Sequence, residues 1–184
     1  MRLNVVAEYK NVRIRPIAEE DLEYLRGWRN DVALGKFLRP IGEITSDMQK
    51  KWYAMECAST DSVTLAIEEI GELNRLVGSL GIYNIEQDQA EIGRIIVGDK
   101  DARGRKIGYH SFLLAMYIGF EKLGIEKYLL DVHEDNIPAK ISYSKVGFRA
   151  KGKHPFVNGG FEIEMEMGKE QFFQMHGDLR EVKL

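Results

Sequence analysis

Between Ile92 and Phe148 the chain carries basic residues, glycines and a tyrosine at spacings that suit a phosphate-bearing ligand. The apolar run Ile92-Gly93-Arg94-Ile95-Ile96-Val97 reads as a strand. It leads into the turn Arg103-Gly104-Arg105-Lys106-Ile107-Gly108, from which a long apolar helix starts. Glycines let the backbone approach an anion, and a helix N-terminus presents unpaired N–H groups at its positive dipole end. Neither G-x-G-x-x-G nor G-x-x-x-x-G-K occurs, so the dinucleotide-binding and P-loop fingerprints are absent. A second strand, Lys127 to His133, is followed by Asn136-Ile137-Pro138-Ala139 and a helix carrying Tyr143. Asn136 suits a helix N-cap, with proline in the first turn. Tyr143 lies two helical turns further on. Taken alone, it is readable as a core tyrosine.

Other titratable groups stand close by in the sequence. Glu91 opens the first strand and His133 ends the second, and an imidazole titrates near neutrality. Each is also readable as an ordinary solvated or packed residue. The four histidines show no metal-ligand spacing, so no metal is expected. Cys57 is the only cysteine, which excludes an internal disulfide or a paired-cysteine metal site and points to a reducing cytoplasm.

The elements that must position these residues follow from periodicity. Val12-Arg13-Ile14-Arg15 alternates as a strand. Leu22, Leu25 and Trp28 recur at helical spacing behind Glu19, Glu20 and Asp21, which complement the helix dipole. Arg29 to Glu43, with Gly35, Pro40 and Gly42, reads as a loop or broken helix. Ser46-x-x-Gln49 forms a capping box for a second helix with Met48, Trp52 and Met55 on one face. Strands are expected at Val63 to Glu68, Leu76 to Tyr83 and Glu91 to Val97, with Asn84 to Gln89 as the turn between the last two. After the basic turn, Tyr109, Phe112, Leu113, Met116, Tyr117 and Phe120 share a helical face, and Leu114, Ala115 and Ile118 fill the others. Phe161, Ile163, Met165 and Met167 alternate with Glu162, Glu164 and Glu166 in a last strand whose acids form its wet face. This order predicts one α/β domain over residues 1–184, a mixed sheet with helices on both faces.

The 184 residues are 44% hydrophobic and 30% charged, with a net charge of −3. That is ordinary for a globular domain and gives no basic field for nucleic acid. The apolar runs are too short to span a membrane.

Arg103-x-x-x-Ile107-Gly108, then Asn136-x-x-Ala139-x-x-x-Tyr143-x-Lys145-x-Gly147-Phe148, resembles the two signature segments of the GNAT acetyltransferases, nearest to the RimJ/RimL-type branch. Lys106 stands where that family usually has a glycine. The resemblance implies the GNAT fold, a mostly antiparallel sheet with a splayed strand pair holding acetyl-CoA, centred on residues 90–150. It implies that Arg103 to Gly108 bind the pyrophosphate and that Ile95, Ile96 and Val97 bond the pantetheine, with a backbone N–H near Ile96 stabilising the oxyanion. It implies that Asn136 contacts the pantetheine and that Tyr143 protonates the departing thiolate, with Ser142 and Ser144 as alternatives. Glu91 or His133 would be the base. Trp28, Arg29 and Asn30 would line the acceptor pocket, although they also read as a core, a surface and a capping residue. The acceptor would be a protein N-terminal amine or a small-molecule amine such as a nucleotide-linked amino sugar. A non-catalytic acyl-CoA-binding module is the rival. The resemblance also allows a homodimer.

Overall fold

The computed structural model describes residues 5–35, 37–38, 41–157 and 159–184, with the side chains of residues 180 and 181 outside that description. Pro40 of the expected loop therefore lies outside the described residues. Eight strands form one sheet: β1 Ala7–Tyr9, β2 Val12–Pro16, β3 Val63–Glu69, β4 Arg75–Glu86, β5 Gln89–Val97, β6 Lys127–His133, β7 Arg149–Pro155 and β8 Phe161–Gly168. Their spatial order is β1-β2-β3-β4-β5-β6-β8-β7. Every neighbouring pair is antiparallel except β5 and β6, which are parallel. The helices are α1 Leu22–Asn30, α2 Val32–Gly35, α3 Ser46–Ala58, α4 Ile107–Lys122, α5 Ile137–Val146 and α6 Lys169–Met175. This is the expected mixed, mostly antiparallel α/β sheet.

The helix expected after the basic turn is the keystone of one layer. Ile107, Phe112, Leu113, Leu114, Met116, Ile118 and Phe120 of α4 are all at most 2% exposed. One side of α4 meets Ile14, Leu65, Ile67, Leu80, Ile82 and Ile92 of the sheet. Another side meets Tyr143 of α5, through a Phe112 ring contact at 5.0 Å, and Phe172 of α6, through Phe120 at 5.1 Å. Each fully buried aliphatic or aromatic side chain contributes about 1.5–3 kcal/mol of transfer free energy, so this layer dominates stability.

The opposite face of β3 is covered by α3, where Glu56 accepts hydrogen bonds from Ser62 Oγ and from Thr64 Oγ1, the latter at 2.8 Å. A buried ion pair sets the start of α1. Arg15 of β2 forks onto Asp21, with Nη1–Oδ2 at 2.7 Å and Nη2–Oδ1 at 2.9 Å, and its Nε donates to Glu68 at 2.8 Å. Asp21 also accepts from the Ala18 N–H at 2.8 Å, so its carboxylate is well satisfied despite burial.

Several expectations change. The cap of α3 is Thr45, whose Oγ1 accepts from Met48 N–H, so the cap lies one residue before Ser46 and the expected Ser46–Gln49 box does not form. Met48 and Met55 are 46% and 73% exposed, while Gln49 is buried. Methionine spacing matched one face of the helix, but the Glu56 bonds to β3 turn another one inward. The strand expected to end at Tyr83 runs on to Glu86, and the turn shrinks to Gln87-Asp88. Asn84 and Gln87 take left-handed φ of 51° and 52°, so the polar stretch is an irregular strand end and not a loop. The short elements β1 and α6 were not anticipated, while α2 falls within the stretch Arg29 to Glu43 expected as a loop or broken helix.

Tyr128 of β6 is fully buried, and its hydroxyl has no hydrogen-bond partner among the described residues. It fits only because Gly119 of α4 lacks a side chain: a Cβ there would stand 1.6 Å from the hydroxyl oxygen. Tyr128→Phe should therefore raise the unfolding free energy by about 1–2 kcal/mol, the desolvation penalty of one orphaned polar group. Gly119→Ala should destabilise. A lower melting temperature for Tyr128→Phe would show that the hydroxyl has a partner.

Candidate active site

The sheet opens where β5 leaves β6. The two strands pair through only three rungs, Gln89–Lys127, Ala90–Tyr128 and Glu91–Leu129. β6 stays paired with β8 along its whole length, and β5 stays with β4 as far as Val97. The cause lies on β5. From Ser79 to Gly81, β4 advances two residues, while β5 advances three, from Gly93 to Ile96. The extra residue is a bulge, and Arg94 within it takes φ of 53°. A bulge bends its strand and increases the local twist, which carries Ile95, Ile96 and Val97 away from β6. Their edge faces the opening, as an extended ligand requires.

The basic turn lies beyond the open end of β5. The backbone N–H groups of Gly104, Arg105, Lys106, Ile107, Gly108 and Tyr109 make no hydrogen bond with any described residue, and the first intrahelical bond runs from His110 N–H to Lys106 O at 2.9 Å. Unpaired amides at a helix start form an anion site. The arginines there differ. Arg103 is exposed and has no ion-pair partner among the described residues. Arg105 is committed elsewhere, its Nη1 2.6 Å from Glu72 and its Nε donating to Asp101 O at 2.8 Å. Only its backbone remains for a ligand. Lys106 occupies the left-handed region at φ 60°, ψ 17°, which explains why glycine is usual there.

Asn136 caps α5, its Oδ1 accepting from Ala139 N–H at 3.3 Å. Its Nδ2 makes no hydrogen bond with any described residue, so capping leaves a donor available. Tyr143 is 9% exposed and lies beside Phe112 and Phe148. Burial raises its pKa to about 12. Its hydroxyl has no hydrogen-bond partner among the described residues.

On the face away from α4, β-register brings several polar groups together. Tyr83 pairs with Glu91, Glu91 with Leu129, Asp131 with Glu164, and His133 with Glu162, so all share that face. Glu91 stands at the last rung before the strands part and accepts from Asn84 Nδ2 at 2.7 Å. Burial, and then the Glu91 charge, push the Tyr83 phenol up to about 12. The Arg94 guanidinium lies over the Tyr83 ring, 3.7 Å from its centre. Burial, and then the Arg94 charge, lower the pKa of Arg29, which places the two arginines near each other. His133 is occupied: its Nδ1 accepts from Asp135 N–H at 3.1 Å and its Nε2 lies 3.3 Å from Gly159 O.

The first helix divides its three residues. Asn30 is structural, its amide exchanging two 2.9 Å bonds with the backbone of Ile44. Trp28 lies against Gly98, where a Cβ would come within 2.2 Å of the indole. Arg29, half-buried, lies near Gly35 and Arg94. Tyr83, Arg94 and Asp131 were not singled out from sequence. The Gly93-Arg94 interruption of an apolar strand was the one local signal for the bulge.

An open sheet with a parted parallel pair and an orphan-amide turn is the architecture of an N-acetyltransferase. The spermidine N-acetyltransferase of Vibrio cholerae, solved in complex with CoA and spermine, superposes with a TM-score of 0.80 at 18% identity, covering 89% of this chain and 98% of that one, and shows the fold. The acetyltransferase (GNAT) domain family matches residues 11–149, and the chain belongs to that family. An uncharacterized protein of Methanocaldococcus jannaschii is 28% identical over 149 residues, 80% of this chain and 30% of that protein, so the chain spans less than a third of that relative's length. The spermidine N(1)-acetyltransferase of Escherichia coli is 24% identical over 183 residues, 90% of each chain.

Left-handed backbone costs a non-glycine residue about 1–3 kcal/mol. Lys106→Gly should therefore stabilise the protein by about 1 kcal/mol once the added freedom of the unfolded chain is offset. It should leave CoA affinity within about twofold. Gly108→Glu adds an anion beside the free amides and should weaken CoA binding by about tenfold or more, or at least 1.4 kcal/mol. Equal losses in a CoA titration would make the Lys106 ammonium a phosphate ligand.

Proposed function

We propose that this domain transfers acetyl from acetyl-CoA directly to the primary amine of a small cationic molecule. The observation that carries this reading is the parting of β5 and β6 at Glu91 beside a turn with six unpaired amides. The amides of Gly104 to Gly108 hold the pyrophosphate, with Arg103 adding charge. The Ile95–Val97 edge and Asn136 Nδ2 bond the pantetheine arm. Glu91, directly or through a water it orients, takes a proton from the acceptor ammonium. His133 is the weaker base candidate because both of its nitrogens are already used. The freed amine attacks the thioester carbonyl, and a backbone N–H near Ile96 steadies the oxyanion. Tyr143, kept protonated by burial, gives its proton to the leaving thiolate.

The acidic face supports a cationic acceptor. Glu91, Asp131, Glu162 and Glu164 project from neighbouring strands on one face of the sheet, the face away from α4. The Escherichia coli relative, matched along 90% of both chains, acts by its name on spermidine. A polyamine is therefore the favoured acceptor over a protein N-terminal amine, the acceptor of a RimJ/RimL-type enzyme. One observation favours a second acceptor: Arg29 and Arg94 bring like charges together on that side, an arrangement suited to the phosphates of a nucleotide-linked amino sugar.

Release of CoA thiol should be followed with a panel of spermidine, a nucleotide-linked amino sugar and an N-terminal peptide. Turnover with spermidine is expected to be highest, and Glu91→Gln should lower its kcat. Thioester cleavage with no member of a broad amine panel would leave only an acyl-CoA-binding module. If the amino sugar wins instead, Arg29→Ala should raise its KM and leave CoA affinity unchanged.

Tyr143→Phe should cost about 10²–10⁴-fold in kcat, the usual contribution of a general acid. Because the hydroxyl bonds to no described residue, the melting temperature should stay level. Wild-type kcat should show no loss from phenol ionisation until pH nears 12. Near-normal turnover of Tyr143→Phe would move the acid role to Ser142, Ser144 or water.

A further inference from the structure

Asp131 of β6, His154 of β7 and Glu162 of β8 meet on the sheet face that carries Glu91. One ligand-type atom from each lies within 4.8 Å of the other two. His154 Nε2 stands 3.1 Å from Asp131 Oδ1. His154 and Glu162 are direct cross-strand partners, and Glu162 is only 8% exposed. Along the chain these residues are too far apart to form a metal motif, which is why sequence spacing pointed to no metal.

We infer that Asp131, His154 and Glu162 form a binding site for one divalent transition-metal ion, with the chemistry of zinc. Three features of the site point that way. The first is distance. Zinc–ligand bonds are about 2.0–2.2 Å, so ligand atoms around a tetrahedral ion stand about 3.3–3.6 Å apart. The Asp131–His154 separation of 3.1 Å is already close to that, and Glu162 offers a carboxylate oxygen within 4.8 Å of both. The second is placement. Strand register sets the three side chains on one face of the sheet, with His154 of β7 directly opposite Glu162 of β8, and Asp131 of β6 opposite Glu164 of β8. The third is charge. Asp131 and Glu162 bring two carboxylates to one imidazole, a donor set whose charge suits a divalent ion. One nitrogen and two oxygens from three protein side chains suit zinc and leave a fourth position for water or a ligand. The ion would tie β6, β7 and β8 together at the open end of the sheet. The inference does not depend on acetyl transfer.

The test is titration of Zn²⁺ into the metal-free full chain by calorimetry, with Co²⁺ absorption as a second readout. One equivalent should bind in the micromolar range or tighter, and Co²⁺ should give the visible bands of low coordination. His154→Ala and Asp131→Asn should each weaken binding by at least about tenfold and abolish those bands. Glu164→Gln, on the same face but outside the triad, should bind as wild type does. Circular dichroism keeps folding separate, and His154 lies partly exposed on an edge strand where alanine is tolerated. Absence of binding below millimolar Zn²⁺ overturns the site. So does equal binding by wild type and both triad variants, which would mean an adventitious ion only.

Discussion

The parting of β5 from β6 is the constraint on which the rest of this structure depends. Parallel pairing lasts three rungs and then stops. Backbone groups released in this way must be met by something extended, since buried main-chain donors and acceptors are costly to leave unpaired. The bulge at Arg94 enforces the departure from one side, and the full-length β6–β8 ladder holds the other strand in place. The proposed ligand, with a long arm and an anionic tail, would meet the freed edge and the free amides of the turn together.

Packing keeps this opening from collapsing. α4 is buried nearly all round, so its N-terminus cannot shift to fill the cleft without disturbing Phe112, Phe120 and the rings of α5 and α6. A close-packed interior resists such movement. Gly78 contributes in the same way: a Cβ there would stand 2.3 Å from Ile96 O, so the bulged segment rests directly on bare backbone. The strained Lys106 is held in its turn by the same rigidity.

The two faces of the sheet do different work. The α4 face is apolar and provides most of the stability. The other face is covered by helices only over its first half, where Arg15, Asp21 and Glu68 fix α1. Over β5, β6, β7 and β8 it carries charged groups. A surface that concentrates carboxylates raises the local concentration of cations, which links the proposed amine acceptor and the inferred metal site by one electrostatic cause.

The sequence by itself determined those parts in which neighbours along the chain set the geometry. The span of β6 from Lys127 to His133, the Asn136 cap and the buried α4 were all legible. Each depends on periodicity or on one residue's backbone preference. Tertiary structure alone decided the rest. The inward face of α3 was set by Glu56 reaching Thr64, not by its methionines. The Arg105 side chain was drawn from the basic turn by Glu72, thirty-three residues away in sequence. Glu91 came to the point where the strands part, and Asp131, His154 and Glu162 came together, through strand register. Register depends on pairings between distant segments, and a shift of one residue turns each side chain to the opposite face.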